Sequence, residues 1–137
     1  MATPAFDWSE YLNLAVQLAA NTDEASHRSS ISRAYYSIYH KASERAVSAG
    51  YVDQHKHWQL WDMYGRNTDR AYRKLSSIGS RMKKERIDAD YDATATRIAE
   101  RMNVQLQRAQ DFLMRLSALA PGLPVPSGSL LRARGAR

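Results

Sequence analysis

The sequence predicts an all-α protein, an up-and-down bundle of four to five helices. Apolar residues recur at every third or fourth position along most of the chain, the spacing of an amphipathic helix. Residues that cap helices stand at the ends of these periodic stretches, and no convincing strand pattern interrupts them. With 137 residues, the chain is long enough for one domain with a buried core.

The first predicted helix ends near Ala20. Asp7 and Glu10 form a capping-box pattern at its start, in which the two side chains bond to backbone N–H groups of the first turn. Its apolar residues recur at helical spacing: Tyr11, Leu14, Ala15 and Leu18.

The second predicted helix is a long one, from about Glu24 to Ala49. Thr22 or Asp23 can cap its start, because both types readily accept a hydrogen bond from the first turn. Gly50 is a natural residue for its end.

A short third helix is predicted over about residues 56–64, and a fourth ends near Arg86. Asn67 or Thr68 can cap the fourth, and Gly79 inside it costs about 1 kcal/mol relative to alanine. The aromatics of the third helix are predicted to lie in the core rather than to stack on bases: Trp58, Trp61 and Tyr64. The apolar side of the fourth is Tyr72, Leu75, Ile78 and Met82.

The last predicted helix follows Asp92 and ends near Leu119. Its core stripe is continuous: Ile98, Met102, Leu106, Ala109, Leu113 and Leu116. A narrow row of arginines lies beside it: Arg97, Arg101, Arg108 and Arg115. We expect their aliphatic stems to cover the edge of the core, with a phosphate-contacting ridge as the functional alternative.

Residues 1–119 are therefore predicted to form the helical domain. Residues 120–137 are rich in proline, glycine and arginine, which predicts a flexible tail. The beginning of the chain lacks a signal-peptide pattern, and no apolar stretch approaches the roughly 20 residues that span a bilayer. We expect a cytoplasmic protein without membrane contact.

The net charge is +6, and basic residues concentrate between positions 66 and 86. Such a cluster suits a polyanion, although a solvated helix face has the same composition. The candidate nucleic-acid contacts are Arg73, Lys74, Arg81, Lys83 and Lys84. The chain has no cysteine, and His55 and His57 point apart on a helix, so we expect neither a metal site nor a cofactor. The three acids before the last helix are predicted to punctuate the link between helices: Asp88, Asp90 and Asp92.

Arg33 and His40 carry the main candidate site. They lie seven positions apart in the second helix, which brings them to the same face two turns apart. Ser37 lies between them and Glu44 one turn beyond, as supporting residues. An arginine can bind a phosphate and a histidine can move a proton, yet both can also be solvated surface residues. An outward-facing row lacks a cleft, which two copies facing each other would supply.

The same stretch carries a family resemblance. Residues 32–42 read Ser-Arg-Ala-Tyr-Tyr-Ser-Ile-Tyr-His-Lys-Ala, which resembles the Ser-Arg-x-Tyr-Tyr-x-x-Phe-His-x-Ala signature of one branch of HEPN domains. Residues 86–92, Arg-Ile-Asp-Ala-Asp-Tyr-Asp, are similar to the basic-x-x-Ala-Asp-Tyr stretch before the last helix of those proteins. The resemblance covers roughly residues 7–118.

The resemblance implies a HEPN-like helical bundle that pairs as a homodimer and works in a toxin–antitoxin or antiviral defence system. Many HEPN members are metal-independent ribonucleases with an Arg-x(4–6)-His motif, which Arg33 and His40 fit. His40 would then be the acid/base acting on RNA, and Arg33 would hold the scissile phosphate. The alternative is a non-catalytic HEPN module that binds nucleotide, nucleic acid or a protein partner such as an antitoxin, a nucleotidyltransferase or a defence enzyme.

Overall fold

The computed structural model describes residues 4–51, 56–120 and 123. All the regular elements in these residues are helices, so the predicted all-α bundle is confirmed. The helices are α1 (Glu10–Ala19), α2 (Glu24–Ser48), α3 (His57–Gly65), α4 (Arg70–Tyr91) and α5 (Ile98–Ala118). The predicted tail lies outside the described residues except for positions 120 and 123, and so does His55. None of the described helices is long and apolar enough to cross a membrane.

α2 is the central helix, since it packs against α1, α4 and α5. Its apolar side is buried: Ile31, Ala34, Tyr35, Ile38, Tyr39 and Ala42. The predicted ends of α2 are also confirmed. The Asp23 carboxylate accepts a hydrogen bond of 2.9 Å from the Ser26 N–H, and Gly50 follows the helix with φ of 96°.

The predicted capping box at the start of α1 is wrong. Asp7 lies in the turn before the helix, where its carboxylate accepts from the Ser9 N–H (3.0 Å) and the Ser9 hydroxyl (2.8 Å). Because that carboxylate is used within the turn, the helix begins later, at Glu10.

α4 differs from its prediction at both ends. Its cap is Asp69, whose carboxylate accepts from the Ala71 N–H at 2.9 Å, while the side chain of Asn67 accepts from the Asp69 N–H at 2.8 Å. The helix continues to Tyr91 instead of ending near Arg86. Two ion pairs between successive turns support the extra turn: Lys84–Asp88 at 3.1 Å and Arg86–Asp90 at 2.9 Å.

A linker follows α4 at the position where the last helix was predicted to begin. Asp88 and Asp90 belong to α4, so of the acidic trio only Asp92 lies between helices. α5 begins at Ile98, directly after Arg97, whose φ of 58° is left-handed.

Gly79 packs closely against another helix. A Cβ atom built at this position would lie 2.5 Å from the indole ring of Trp61 on α3. The glycine therefore allows α3 and α4 to approach, so it contributes to packing besides its cost in helix propensity.

α5 buries a residue that the predicted stripe omits. Gln105 is fully buried, and its amide donates to the carbonyls of Ile31 (3.3 Å) and Met82 (3.0 Å), which ties α5 to α2 and α4. Phe112 is also buried, while Leu106 and Leu113 of the predicted stripe are only partly buried.

The row of arginines beside the stripe is engaged mostly with acids. Arg101 pairs with Glu85 (2.7 Å) and Asp88 (2.6 Å) of α4 and so joins two helices. Arg97 pairs with Glu100, and Arg115 pairs with Asp111 at 2.9 Å. These pairs favour the structural interpretation of the row over a phosphate-contacting ridge.

Candidate functional site

Arg33 lies half-buried on α2 between two tyrosine rings. Its guanidinium carbon is 4.9 Å from the centroid of Tyr11 and 5.1 Å from that of Tyr36. It makes no ion pair or hydrogen bond with any residue in the described part of the chain. The N–H groups of Arg33 are therefore available for an anion.

His40 packs against the segment that precedes α1. Its imidazole stacks on the indole of Trp8, with 3.7 Å between centroids and 17° between planes. An ion pair of 3.0 Å between Lys41 and Asp7 holds this segment in place. The hydrogen bonds from Ser9, together with Lys41, lower the pKa of the Asp7 carboxyl to about 2, so the pair persists at neutral pH.

Residues of α1 and of the segment before it therefore surround the face of α2 that was expected to point outward and to lack a cleft. Tyr36 lies next to both candidate catalytic groups, since the His40 centroid is 6.0 Å from the Tyr36 centroid. Arg33 and His40 thus share two aromatic neighbours, Tyr36 and Tyr11, which agrees with their spacing. Trp8 and Tyr11 cover this face from the side of α1.

The two predicted supporting residues do not join them. Ser37 is fully buried, and its hydroxyl donates to the carbonyl of Ala34 at 2.7 Å, because this edge of α2 is covered by neighbouring helices. Glu44 is exposed and lies 3.9 Å from the Lys41 ammonium, so it does not orient His40. The placement of Ser37 on the same open face was wrong.

His57, at the start of α3, is one of the residues that the sequence did not predict to join the site. Its ring stacks on Tyr39 with 4.0 Å between centroids and 19° between planes. Its Nδ1 lies 2.8 Å from the hydroxyl oxygen of Tyr35, and that oxygen accepts a hydrogen bond of 3.0 Å from the indole N–H of Trp61. No local motif marks His57, since tertiary packing alone brings α3 to α2.

The environment keeps the imidazole of His57 neutral. Burial disfavours its charged form, and the positive charges of Arg86 and Lys83 act in the same direction, which lowers its pKa to about 4. Burial also raises the pKa of the Tyr35 hydroxyl, so this group stays protonated.

Arg86 completes the group from the side of α4. Its guanidinium carbon lies 5.1 Å from the Tyr36 centroid, and its side chain pairs with Asp90 at 2.9 Å. We call the residues around this ring the Tyr36 cluster: Arg33, Tyr36, His40, His57 and Arg86. Arg86 belongs to the second segment of the family resemblance, which was the available sequence signal.

Four of the five predicted nucleic-acid contacts share one side of α4, since at about 100° per residue they fall within about 100° of one another: Arg73, Lys74, Arg81 and Lys84. Arg73 donates to the carbonyls of Asn67 (3.0 Å) and Thr68 (2.9 Å) and so stabilises the preceding turn. Lys84 pairs with Asp88, and Lys74 and Arg81 are exposed. At about 100° per residue, Lys83 lies on nearly the opposite side of α4 from Arg81. Of the five, Lys83 is the one whose charge acts on His57 in the Tyr36 cluster.

The aromatics of α3 divide into two groups. Trp61 and Tyr64 are buried in the core as predicted, but Trp58 is 56% exposed, so its assignment to the core was wrong. Within the described residues, no group of three or more histidine, cysteine, aspartate or glutamate side chains is placed to hold a metal ion.

Comparison of the chain with protein-family models, with curated proteins and with solved structures found no match.

Proposed function

We propose that the protein is a HEPN-type, metal-independent endoribonuclease in which Arg33 binds the scissile phosphate and His40 transfers the proton. The observation that carries this proposal is the unpaired, half-buried guanidinium of Arg33, held beside the same tyrosine ring as His40. The HEPN resemblance of residues 32–42 supplies the substrate class, which is RNA.

Arg33 differs from three other half-buried arginines of the bundle. Arg28 donates to backbone carbonyls at the end of α4, Arg45 donates to the carbonyls of Leu116 and Ala120, and Arg101 pairs with two carboxylates. Those three side chains use their donors within the fold. Arg33 is held only by aromatic faces, which fix its plane and leave its N–H edges for a planar or tetrahedral anion.

The chemistry needs no metal. His40 takes the proton of a ribose 2′-hydroxyl, and the 2′-oxygen attacks the adjacent phosphorus. The bond to the 5′-oxygen breaks as that oxygen gains a proton from solvent, to which the His40 imidazolium then returns the proton that it took. The products are a 2′,3′-cyclic phosphate and a 5′-hydroxyl. Arg33 stabilises the negative charge that develops on the phosphoryl oxygens. We propose that the protein acts as a homodimer in a toxin or defence system, with a second copy facing the Tyr36 cluster.

A second candidate function is favoured by the stacking of Trp8 on His40. This contact, anchored by the Asp7–Lys41 pair, covers one face of the imidazole. A covered histidine suits a non-catalytic HEPN module, in which Arg33 binds a nucleotide, a nucleic acid or an acidic surface of a protein partner such as an antitoxin, a nucleotidyltransferase or a defence enzyme.

Substitution of Arg33 separates the two candidates. We expect Arg33→Ala to lower the rate of RNA cleavage about 100- to 1,000-fold, the usual cost of losing a group that stabilises the transition state. Arg33→Lys should also be slow, because an ammonium lacks the two-pronged geometry of the guanidinium. Arg70→Ala is the control, since Arg70 is exposed at the start of α4. A wild-type protein that binds RNA without cleaving it supports the non-catalytic module. Equal cleavage by the wild type and Arg33→Ala overturns the proposed role of Arg33.

A further inference from the structure

We propose that His57 binds a phosphoryl oxygen of the RNA as a neutral hydrogen-bond donor, through its Nε2–H group. The inference deepens the proposed function and rests on it for the identity of the ligand, a phosphodiester. It adds to the site a residue from α3, which the spacing of Arg33 and His40 does not indicate.

The hydrogen bonds of Tyr35 determine which nitrogen of His57 carries the proton. The indole N–H of Trp61 can only donate, so the Tyr35 oxygen accepts that bond. Tyr35 is fully buried, and the hydrogen-bond acceptor that lies beside its single hydroxyl proton is Nδ1 of His57, 2.8 Å away. With Nδ1 as an acceptor, the neutral imidazole carries its proton on Nε2.

The same bond points the Nε2–H group out of the core. The two nitrogens lie on opposite sides of the ring, so a ring whose Nδ1 faces buried Tyr35 turns Nε2 away from the core. Nε2 has no hydrogen-bond partner among the described residues. In the described residues, Oε1 of Gln105 is the single side-chain nitrogen or oxygen that is both buried and without a hydrogen-bond partner. Because Nε2 of His57 also has no partner, it is not buried and is accessible to solvent.

The position of His57 suits a phosphate held by Arg33. The His57 and His40 rings lie 5.7 Å and 6.0 Å from the Tyr36 centroid, and 4.0 Å and 5.3 Å from the Tyr39 centroid. His57 thus lies beside the same tyrosine ring as Arg33, and from this shared neighbour we infer that it reaches the same phosphate.

The surrounding charges explain why a neutral donor is useful there. Arg86 and Lys83 of α4 already supply positive charge around the ring. A charged His57 would be repelled by these groups, whereas a neutral N–H adds a directed hydrogen bond at no such cost.

A purely structural role is the competing explanation, since the Nδ1 bond alone satisfies buried Tyr35. A charged contact is a third possibility. The dependence of binding on salt distinguishes the three, because each phosphate neutralised by a cation adds about one unit to the slope of log affinity against log salt, and a neutral donor adds none.

The binding experiment uses a 2′-O-methyl RNA oligonucleotide, which cannot be cleaved, and fluorescence anisotropy at several salt concentrations. We expect His57→Phe, which keeps a ring for stacking on Tyr39, to weaken binding about 10- to 100-fold with an unchanged salt slope. Arg33→Ala should weaken binding and also reduce the slope. His27→Phe is the matched control, because His27 lies on α2 and bonds the carbonyl of Asn21 at 2.6 Å.

Unchanged affinity in a folded His57→Phe variant overturns the inference, and so does a reduced salt slope. As a second measurement that does not require a variant to fold, nitrogen-15 NMR of the wild type should show the Nε2–H tautomer of His57 at pH 7. It should also show a shift of that signal on addition of inorganic phosphate. The opposite tautomer, or no shift, contradicts the inference.

The outcomes also separate this inference from the proposed function. A wild type that binds the oligonucleotide but cleaves no RNA removes the endoribonuclease proposal and leaves His57 to be decided by the binding data. A wild type that cleaves RNA, with a His57→Phe variant that binds and cleaves equally well, removes the inference and leaves the endoribonuclease.

Discussion

His57 illustrates how packing changes the chemistry of a single side chain. The ring stacks on Tyr39, bonds the Tyr35 hydroxyl and lies near two cationic side chains of α4. Its ordinary pKa of 6.5 falls to about 4 in the folded protein, where it is a neutral donor rather than a proton carrier. His40, on the neighbouring part of α2, is left as the candidate for proton transfer.

This shift predicts a dependence of stability on pH. Between pH 6.5 and about 4 the unfolded chain binds a proton at His57 that the folded chain does not. The free energy of unfolding therefore keeps its full contribution from His57 above pH 6.5 and falls as the pH is lowered to about 4. The slope from one such group is at most about 1.4 kcal/mol per pH unit. Urea unfolding at a series of pH values measures it.

The comparison that isolates this effect is between the wild type and His57→Phe. The variant should lose part of the decrease in stability between pH 6.5 and 4, whereas His27→Phe should retain it. Asp7 contributes mainly below this window, because its pKa is about 2 in the folded state and 3.8 otherwise. Parallel curves for the wild type and His57→Phe would show that the pKa of His57 is not lowered.

At this scale the sequence predicted only part of the site. Arg33 and His40 could be paired because helical spacing places residues seven apart on one face. Ser37 lies only a small rotation around α2 from Arg33 and His40, and the spacing did not reveal that it is buried. His57 and Trp8 could not be placed, because their contacts with α2 depend on how other elements pack.

Among the elements, α3 and α4 show how one small residue permits a close contact. Gly79 admits the Trp61 ring, and the hydroxyl of Ser76 on α4 donates to the Trp61 carbonyl at 2.6 Å. Trp61 in turn bonds Tyr35, so this contact also positions the residue that orients His57.

Gly79→Ala should therefore destabilise the protein. Helix propensity alone would favour alanine by about 1 kcal/mol, but the new Cβ would lie 2.5 Å from the indole. We expect a net loss of about 1–3 kcal/mol in the free energy of unfolding, which denaturant titration measures. Ser80→Ala, at an exposed position of α4, is the control and should change stability little. A stabilised Gly79→Ala variant would contradict the packing described for Trp61.

Gln105 gives a second test at the level of helix packing. Its amide donates to carbonyls of α2 and α4, and its buried Oε1 has no partner. Gln105→Glu would replace the donating amide with a carboxylate facing two carbonyl oxygens and should cost about 3 kcal/mol or more at pH 7. Gln105→Met keeps a similar volume without a charge and should cost much less. Equal losses from the two variants, measured by thermal unfolding, would contradict a buried Gln105.

The ends of the helices were predictable where a local side chain determines them and less so elsewhere. Asp23 and Gly50 predicted the two ends of α2 to within one residue. α4 ran past its predicted end because Lys84–Asp88 and Arg86–Asp90 support another turn. The predicted core stripe of α5 omitted Gln105, since a polar residue carries no signal for burial until its partners are known.

At the scale of the whole molecule, the bundle gathers groups from four parts of the chain around α2. The segment before α1 supplies Trp8, α2 supplies Arg33 and His40, α3 supplies His57 and α4 supplies Arg86. The cluster lies at the surface of one copy, on the face that we propose a second copy completes.

The proposed homodimer predicts a defined mass in solution. Light scattering at micromolar concentration should give twice the mass of the 15.6 kDa chain. In the dimer, the faces that carry Arg33 and His40 should be protected from hydrogen exchange relative to a diluted, monomeric sample. A monomer at that concentration, in the absence of a partner protein, would contradict the proposed assembly.

The most direct test of the central claim, that Arg33 and His40 cleave RNA without a metal, is a cleavage assay in excess chelator with identification of the product ends. The wild type should cleave and leave 2′,3′-cyclic phosphate ends, and His40→Ala should be about 100- to 10,000-fold slower, the usual cost of losing a general acid/base. His27→Ala should retain the wild-type rate. Cleavage that disappears with chelator, or that persists at the wild-type rate in the double variant Arg33→Ala/His40→Ala, would contradict the account.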